Sequence, residues 1–239
     1  MKTIGLLGGM SWESTQTYYR LINEGVKARL GGLHSAKLVL YSVDFAEIEA
    51  LQHAGDWAAT ARILSDAALS VQNAGADFLV IGTNTMHKVA PEIEQAIDIP
   101  LLHIADATAK VLNRDGIHRV GLLGTRFTME QAFYRDRLKE AGIEVITPEE
   151  AQRDEIHRVI YEELCRGEID PVSREAYLDT VTSLSERGAQ AVILGCTEIG
   201  LLIRQADTSV PLYDTTEIHA AQAVEQALRE SDFHPNTHH

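Results

Sequence analysis

Phe78-Leu79-Val80-Ile81-Gly82-Thr83-Asn84-Thr85 and Ala191-Val192-Ile193-Leu194-Gly195-Cys196-Thr197-Glu198 carry one pattern twice. Each opens on a run of apolar residues, turns at a glycine and continues into side chains with protic or amide heads. A short apolar run rich in Val, Ile and Leu reads as a strand buried on both faces, and the polar residues after the glycine read as a helix entry. Working outward, Ile4-Gly5-Leu6-Leu7-Gly8 matches Val120-Gly121-Leu122-Leu123-Gly124, and Ile99-Pro100-Leu101-Leu102 matches Val210-Pro211-Leu212-Tyr213. The pairs Gly5/Gly121, Thr83/Cys196 and Pro100/Pro211 are offset by 116, 113 and 111 residues. Three matches in one order at a nearly constant offset mark a duplication.

Between these points, apolar runs alternate with helix-length segments. Strands are expected at 4–7, 37–41, 78–81, 101–103, 119–123, 144–146 and 191–194. The fold class is α/β: two pseudo-symmetric, open, mostly parallel, Rossmann-like halves with the active site between them. The first half takes residues 1–103 plus a last helix at 216–229 that returns to it, and the second takes 104–215. Residues 230–239 read as a disordered tail. Thr128-Met129-Glu130-Gln131 has a capping-box pattern, and Gly142 closes the helix that follows.

Composition narrows the function. The net charge is −14, which excludes the basic footprint of a nucleic-acid or anionic-membrane partner. No apolar run reaches the roughly 18 residues of a membrane span. The start at Met1-Lys2-Thr3 has no secretory pattern, so the expected location is cytoplasmic. Two cysteines are too few for a disulfide scaffold or a Cys-rich metal site, and both are expected as free thiols. No metal site is expected.

In open parallel sheets, ligands bind beyond the carboxyl ends of the strands. The repeated motifs fall there, together with Gly8-Gly9-Met10-Ser11-Trp12, whose backbone N–H groups can cradle a carboxylate. The spacing is neither a dinucleotide fingerprint nor a phosphate loop. Cys196 at a strand-to-helix turn is positioned to have its thiolate stabilised by unpaired N–H groups and the helix dipole. Cys165, within Glu162-Glu163-Leu164-Cys165-Arg166, has no such context and reads as structural.

These three motifs, Gly8 to Trp12, Gly82 to His87 and Gly195 to Ile199, resemble the aspartate/glutamate racemase family, which also includes hydantoin racemases, maleate isomerases and arylmalonate decarboxylases. The resemblance runs from Ile4 to about Leu228. It implies racemisation of aspartate or glutamate, as the small amino-acid substrate, without a cofactor and by two cysteines on opposite faces of the substrate Cα, and it implies a homodimer. One family cysteine is replaced by Thr83 here, and an unactivated hydroxyl is a poor base. The resemblance then implies that Cys196 deprotonates the L-enantiomer while Thr83, or a water it holds, reprotonates. It further implies a substrate pocket lined by Met10, Gln52, Asn84, Thr85, Thr125, Phe127, Thr128, Thr197 and Glu198. Recognition of a side-chain carboxylate has Lys88 and Arg126 as candidates, and His87 is placed to orient the Thr83 turn. Two other readings of the same features are a single-cysteine lyase of the arylmalonate decarboxylase type and a non-catalytic amino-acid binding protein.

Overall fold

A computed structural model describes residues 1–229; the tail expected at 230–239 lies outside the described residues. Strand β1 (Ile4–Gly8) is buried along its whole length and pairs in parallel with β2 (Leu38–Ser42) on one side and β3 (Phe78–Ile81) on the other. The second sheet repeats this winding. Its first strand, β4 (Arg119–Gly124), is flanked by β5 (Glu144–Ile146) and β6 (Ala191–Gly195), and β7 (Leu212–Asp214) adds beyond β6. Every ladder is parallel, so each crossover must carry the chain back over a sheet face, and the apolar runs are covered from both sides.

Gly5 and Gly121 hold equivalent places. A Cβ on Gly5 would lie 2.4 Å from Val71 Cγ1, and one on Gly121 would lie 2.8 Å from Leu184 Cδ1. Val71 and Leu184 belong to the helices Trp57–Asn73 and Pro171–Glu186, which pack on the central strand of their respective sheets. The glycines thus set how closely helix and sheet approach.

The two sheets differ at one edge. In the second, Leu212–Asp214 is a strand; in the first, the matching segment makes a single parallel bridge, Leu79 to Leu101. The strand expected at 101–103 is therefore reduced to one residue pair, while β7, which the repeat brings opposite it, is longer. The helix Thr215–Leu228 returns to the first half. Ala220, Ala223, Val224 and Ala227 share a core cluster with Ile4, Leu6, Tyr18 and Phe78, and Lys2 N donates to Ala227 O at 2.8 Å.

The capping pattern at Thr128 is displaced by three residues. Thr125 caps the short helix Arg126–Glu130, accepting from Thr128 N, and the chain then extends at Gln131 before the helix Ala132–Glu140 begins. Thr128 lies in the first turn, fully buried against Gly124, because packing on β4 outweighs its local capping preference. Gly142, at φ +81°, does close the second helix.

Candidate active site

Four loops leave the carboxyl ends of parallel strands and meet between the sheets. After β1, Gly9 has φ +90°, and a Cβ there would lie 2.3 Å from Val43 O, so only glycine brings Met10 and Ser11 into place. Ser11 then caps the helix Trp12–Leu30. After β3 come Thr83 and Asn84, leading into the 3₁₀ turn Thr85–Val89. Thr125 follows β4. After β6 come Cys196, Thr197 and Glu198, leading into one turn of helix, Ile199–Leu202.

One narrow cavity, with about 40 Å³ open to a water-sized molecule, is lined from both halves. Of the residues singled out in the sequence, it brings together Met10, Gln52, Thr83, Asn84, Thr85, Thr125, Cys196, Thr197 and Glu198. Polar links cross between the halves around it. Ser11 Oγ donates to Glu198 Oε1 at 2.9 Å, Thr85 and Thr125 share a hydroxyl bond of 3.0 Å, and Gln52 Nε2 donates to Tyr161 Oη at 3.0 Å.

Glu198 is the centre of the polar network. It is 7% exposed; Oε1 lies within hydrogen-bond reach of Ser11 and Ser14, while Oε2 lies within reach of Thr197 Oγ1 at 3.0 Å and accepts from Cys196 Sγ at 2.9 Å. The Ser14 and Thr197 hydroxyls also contact each other, and since each has one proton, one of the two donates to the other rather than to Glu198. Desolvation, and then the Glu198 charge, push the Cys196 thiol well above its ordinary pKa. The expected N-terminal stabilisation of a thiolate is outweighed here, since a carboxylate at hydrogen-bond distance favours the protonated thiol. Cys196 is thus an S–H donor with its proton acceptor already in contact.

Behind Thr83 the chemistry differs. His87 Nδ1–H donates to Thr83 O at 2.7 Å, and its Nε2 accepts from Ile104 N at 3.2 Å. Both nitrogens are engaged as in the neutral ring, and burial pulls its pKa down to about 3. The ring therefore fixes the Thr83 carbonyl rather than activating the hydroxyl. Next to it, His219 donates from Nε2 to Leu102 O and pairs Nδ1 with Tyr18 Oη at 2.6 Å, and it too is held neutral by burial. Asn84 Nδ2 donates to Thr215 Oγ1, which donates on to Leu194 O. Asn84 Oδ1, in contrast, is buried with no partner among the described residues, an acceptor available to a donor on a bound molecule.

Phe127 and Thr128 are not among the lining residues. The Phe127 ring packs edge-on against Trp57, His53 and His157, outside the cavity, and Thr128 is the buried first-turn residue described above. Neither cation candidate lines the cavity: Lys88 sits over the Trp57 ring and bonds Gln131, and Arg126 pairs with Asp154 at 2.6 Å. Cys165, in contrast, joins the lining, as do Ser11, Phe45, Ile160 and Tyr161. Burial, then the charges of Glu198 and Glu13, push its thiol up to about 12. A signal for Ser14 was present, since it lies three residues after Ser11 and so on the same helix face. Tyr161 lies in the last turn of the helix Glu150–Glu162 and Cys165 in the 3₁₀ turn Leu164–Arg166 that follows, and nothing in their spacing says which way either points.

Among the described residues, no group of three or more His, Cys, Asp or Glu is arranged to hold a metal ion, and no helix is long and apolar enough to cross a membrane. The family model for Asp/Glu/hydantoin racemases matches residues 7–223. The solved structure of a candidate Asp/Glu racemase from Yersinia pestis is similar, with 59% identity and a TM-score of 0.91 over 96% of this chain and 100% of that one. PH1733, an aspartate racemase homologue from Pyrococcus horikoshii, is 35% identical with a TM-score of 0.83, covering 95% and 99% of the two chains. The broad specificity amino-acid racemase RacX of Bacillus subtilis is 24% identical over 230 residues, 94% of this chain and 98% of that one. With duplicated parallel sheets, a cavity between their strand ends and a family match running from β1 into the last helix, this chain belongs to the Asp/Glu/hydantoin racemase family and is an isomerase.

Proposed function

We propose that the protein is a cofactor-independent amino-acid racemase that abstracts the substrate α-proton with the Cys196–Glu198 pair and prefers the L-enantiomer. The observation that carries this is the 2.9 Å contact from Cys196 Sγ to Glu198 Oε2 in a cavity also lined by Thr83. When substrate enters, the thiol proton moves to the Glu198 carboxylate and the thiolate takes the proton from Cα. The resulting enediolate is reprotonated on its other face by a water held at Thr83 or by the Thr83 hydroxyl, which regains its proton from solvent, and Glu198 releases its proton to solvent, restoring the thiol–carboxylate pair. Asn84 Oδ1 accepts from the substrate ammonium, and the hydroxyl proton left over by the Thr85–Thr125 bond is the donor for its α-carboxylate.

The two catalytic loops fall in different halves, 1–103 with 216–229 and 104–215, and this division is part of the proposal. So are a homodimer, which sedimentation would test, and a cytoplasmic setting that keeps both cysteines reduced. Aspartate and glutamate, the amino acids the family is named for, are the first substrates to try. RacX, named for broad specificity, supports trying others as well. Purified protein is incubated with L- and D-amino acids in deuterium oxide, and loss of the α-proton is followed by NMR. Exchange of the L-form that survives dialysis and chelation but stops on thiol alkylation is the expected result; equal exchange of both enantiomers would refute the one-thiolate reading.

A further inference from the structure

The cavity is uneven in charge. Among the described residues that line it, Glu198 supplies the one carboxylate, and no Lys, Arg or His is present. Ser11, Cys196 and one hydroxyl of the Ser14–Thr197 pair donate to Glu198, an arrangement that holds a negative charge in place. Lys88 and Arg126 are committed elsewhere, to Trp57 with Gln131 and to Asp154. Hydroxyl donors belong to the loops at the strand ends. The wall contributed by helices is Phe45, Ile160, Tyr161 and Cys165, and its polar pair, Gln52 with Tyr161, is bonded to itself.

Resting on the racemase reading above, we propose that the preferred substrate is an amino acid with an uncharged side chain, and that Phe45, Ile160, Tyr161 and Cys165 form its side-chain subsite. A zwitterion brings two charges that cancel, one for Asn84 Oδ1 and one for the Thr85–Thr125 pair. Aspartate or glutamate brings a further carboxylate into a narrow space whose fixed charge is negative. With no cation to pair it, that carboxylate loses its hydration without compensation. The protein's net charge of −14 opposes the approach of an anion as well.

Isosteric pairs remove size from the test. The kcat/KM for α-proton exchange is measured for L-aspartate against L-asparagine, and for L-glutamate against L-glutamine and L-methionine. The neutral member of each set is expected to exceed the acid by roughly tenfold or more, as for an unpaired buried charge. Aspartate or glutamate equal to or above its neutral partners would overturn the subsite assignment alone, whereas exchange with no amino acid at all would overturn the racemase reading with it. Cys165 is half-buried at the cavity wall, so Cys165→Lys is expected to shift the acid-to-neutral ratio towards the acid by about tenfold, while Cys165→Ser leaves that ratio unchanged. Gln52→Lys repeats the test from the other half, with circular dichroism checking that each variant folds. An unmoved ratio in both lysine variants would overturn the proposal.

Discussion

The turns after β3 and β6 share one backbone frame but carry opposite proton chemistry. At the second, Cys196 donates to Glu198; at the first, the matching pair is Thr83 and Thr85, and Thr85 is turned to Thr125 across the cavity. The contrast continues two residues on. His87 grips the Thr83 carbonyl, whereas its counterpart Gly200 has no side chain, and a Cβ there would press to 2.7 Å from Asp214 Oδ2. One half offers a poised acid–base pair, and the other offers a rigid turn with a neutral hydroxyl. Duplication preserved the geometry that delivers groups to the cavity, and left the identity of those groups free to diverge.

The sharpest way to break this contrast is to remove the thiol. Cys196→Ala is expected to lower L-exchange by about 10⁴-fold, the upper range for loss of a general base, with the NMR exchange assay as the measure. Glu198→Gln comes next, with an expected loss of about 10³-fold because the thiol proton has no acceptor. A pH profile separates this from misfolding. In the parent protein Glu198 takes the thiol proton, so exchange should show no rise from thiol deprotonation up to pH 9, where the thiol is still protonated. In Glu198→Gln only solvent can deprotonate the thiol, and the remaining exchange should rise with pH.

The histidines distinguish the halves in stability. Burial lowers the pKa of His87 from 6.5 to about 3, and that of His219 from 6.5 to about 4. Because the unfolded chain binds these protons first, the stability they contribute is complete above about pH 6.5 and is lost as pH falls towards 4 and then 3. The cost by pH 4 should be on the order of 3 kcal/mol, or roughly 10²-fold in the folding equilibrium, for each of the two histidines. Urea midpoints measured across this range would show it, and His87→Gln should flatten the dependence. A smaller effect is expected from Thr83→Cys, which makes the two turns alike: D-enantiomer exchange should rise by about tenfold, short of a fully tuned base because no carboxylate stands beside the new thiol. Smallest is Cys165→Ala, expected to change L-exchange by no more than about threefold, since this thiol lines the cavity but is not the base.

Much of the frame was readable from residue order alone. The apolar runs, the glycines after them and the constant offset determine two parallel sheets with like loops at like ends, because a short run buried on both faces has few other stable solutions. The Thr83/Cys196 pairing followed from the same offset. Tertiary structure alone decided which way these side chains point, so Cys165 and Tyr161 enter the cavity while Phe127 turns to Trp57 and the neighbouring histidines. It also decided the protonation of Cys196. Local position at a helix start favours a thiolate, but burial and a carboxylate folded back to 2.9 Å favour the thiol, and both depend on what surrounds the group in space.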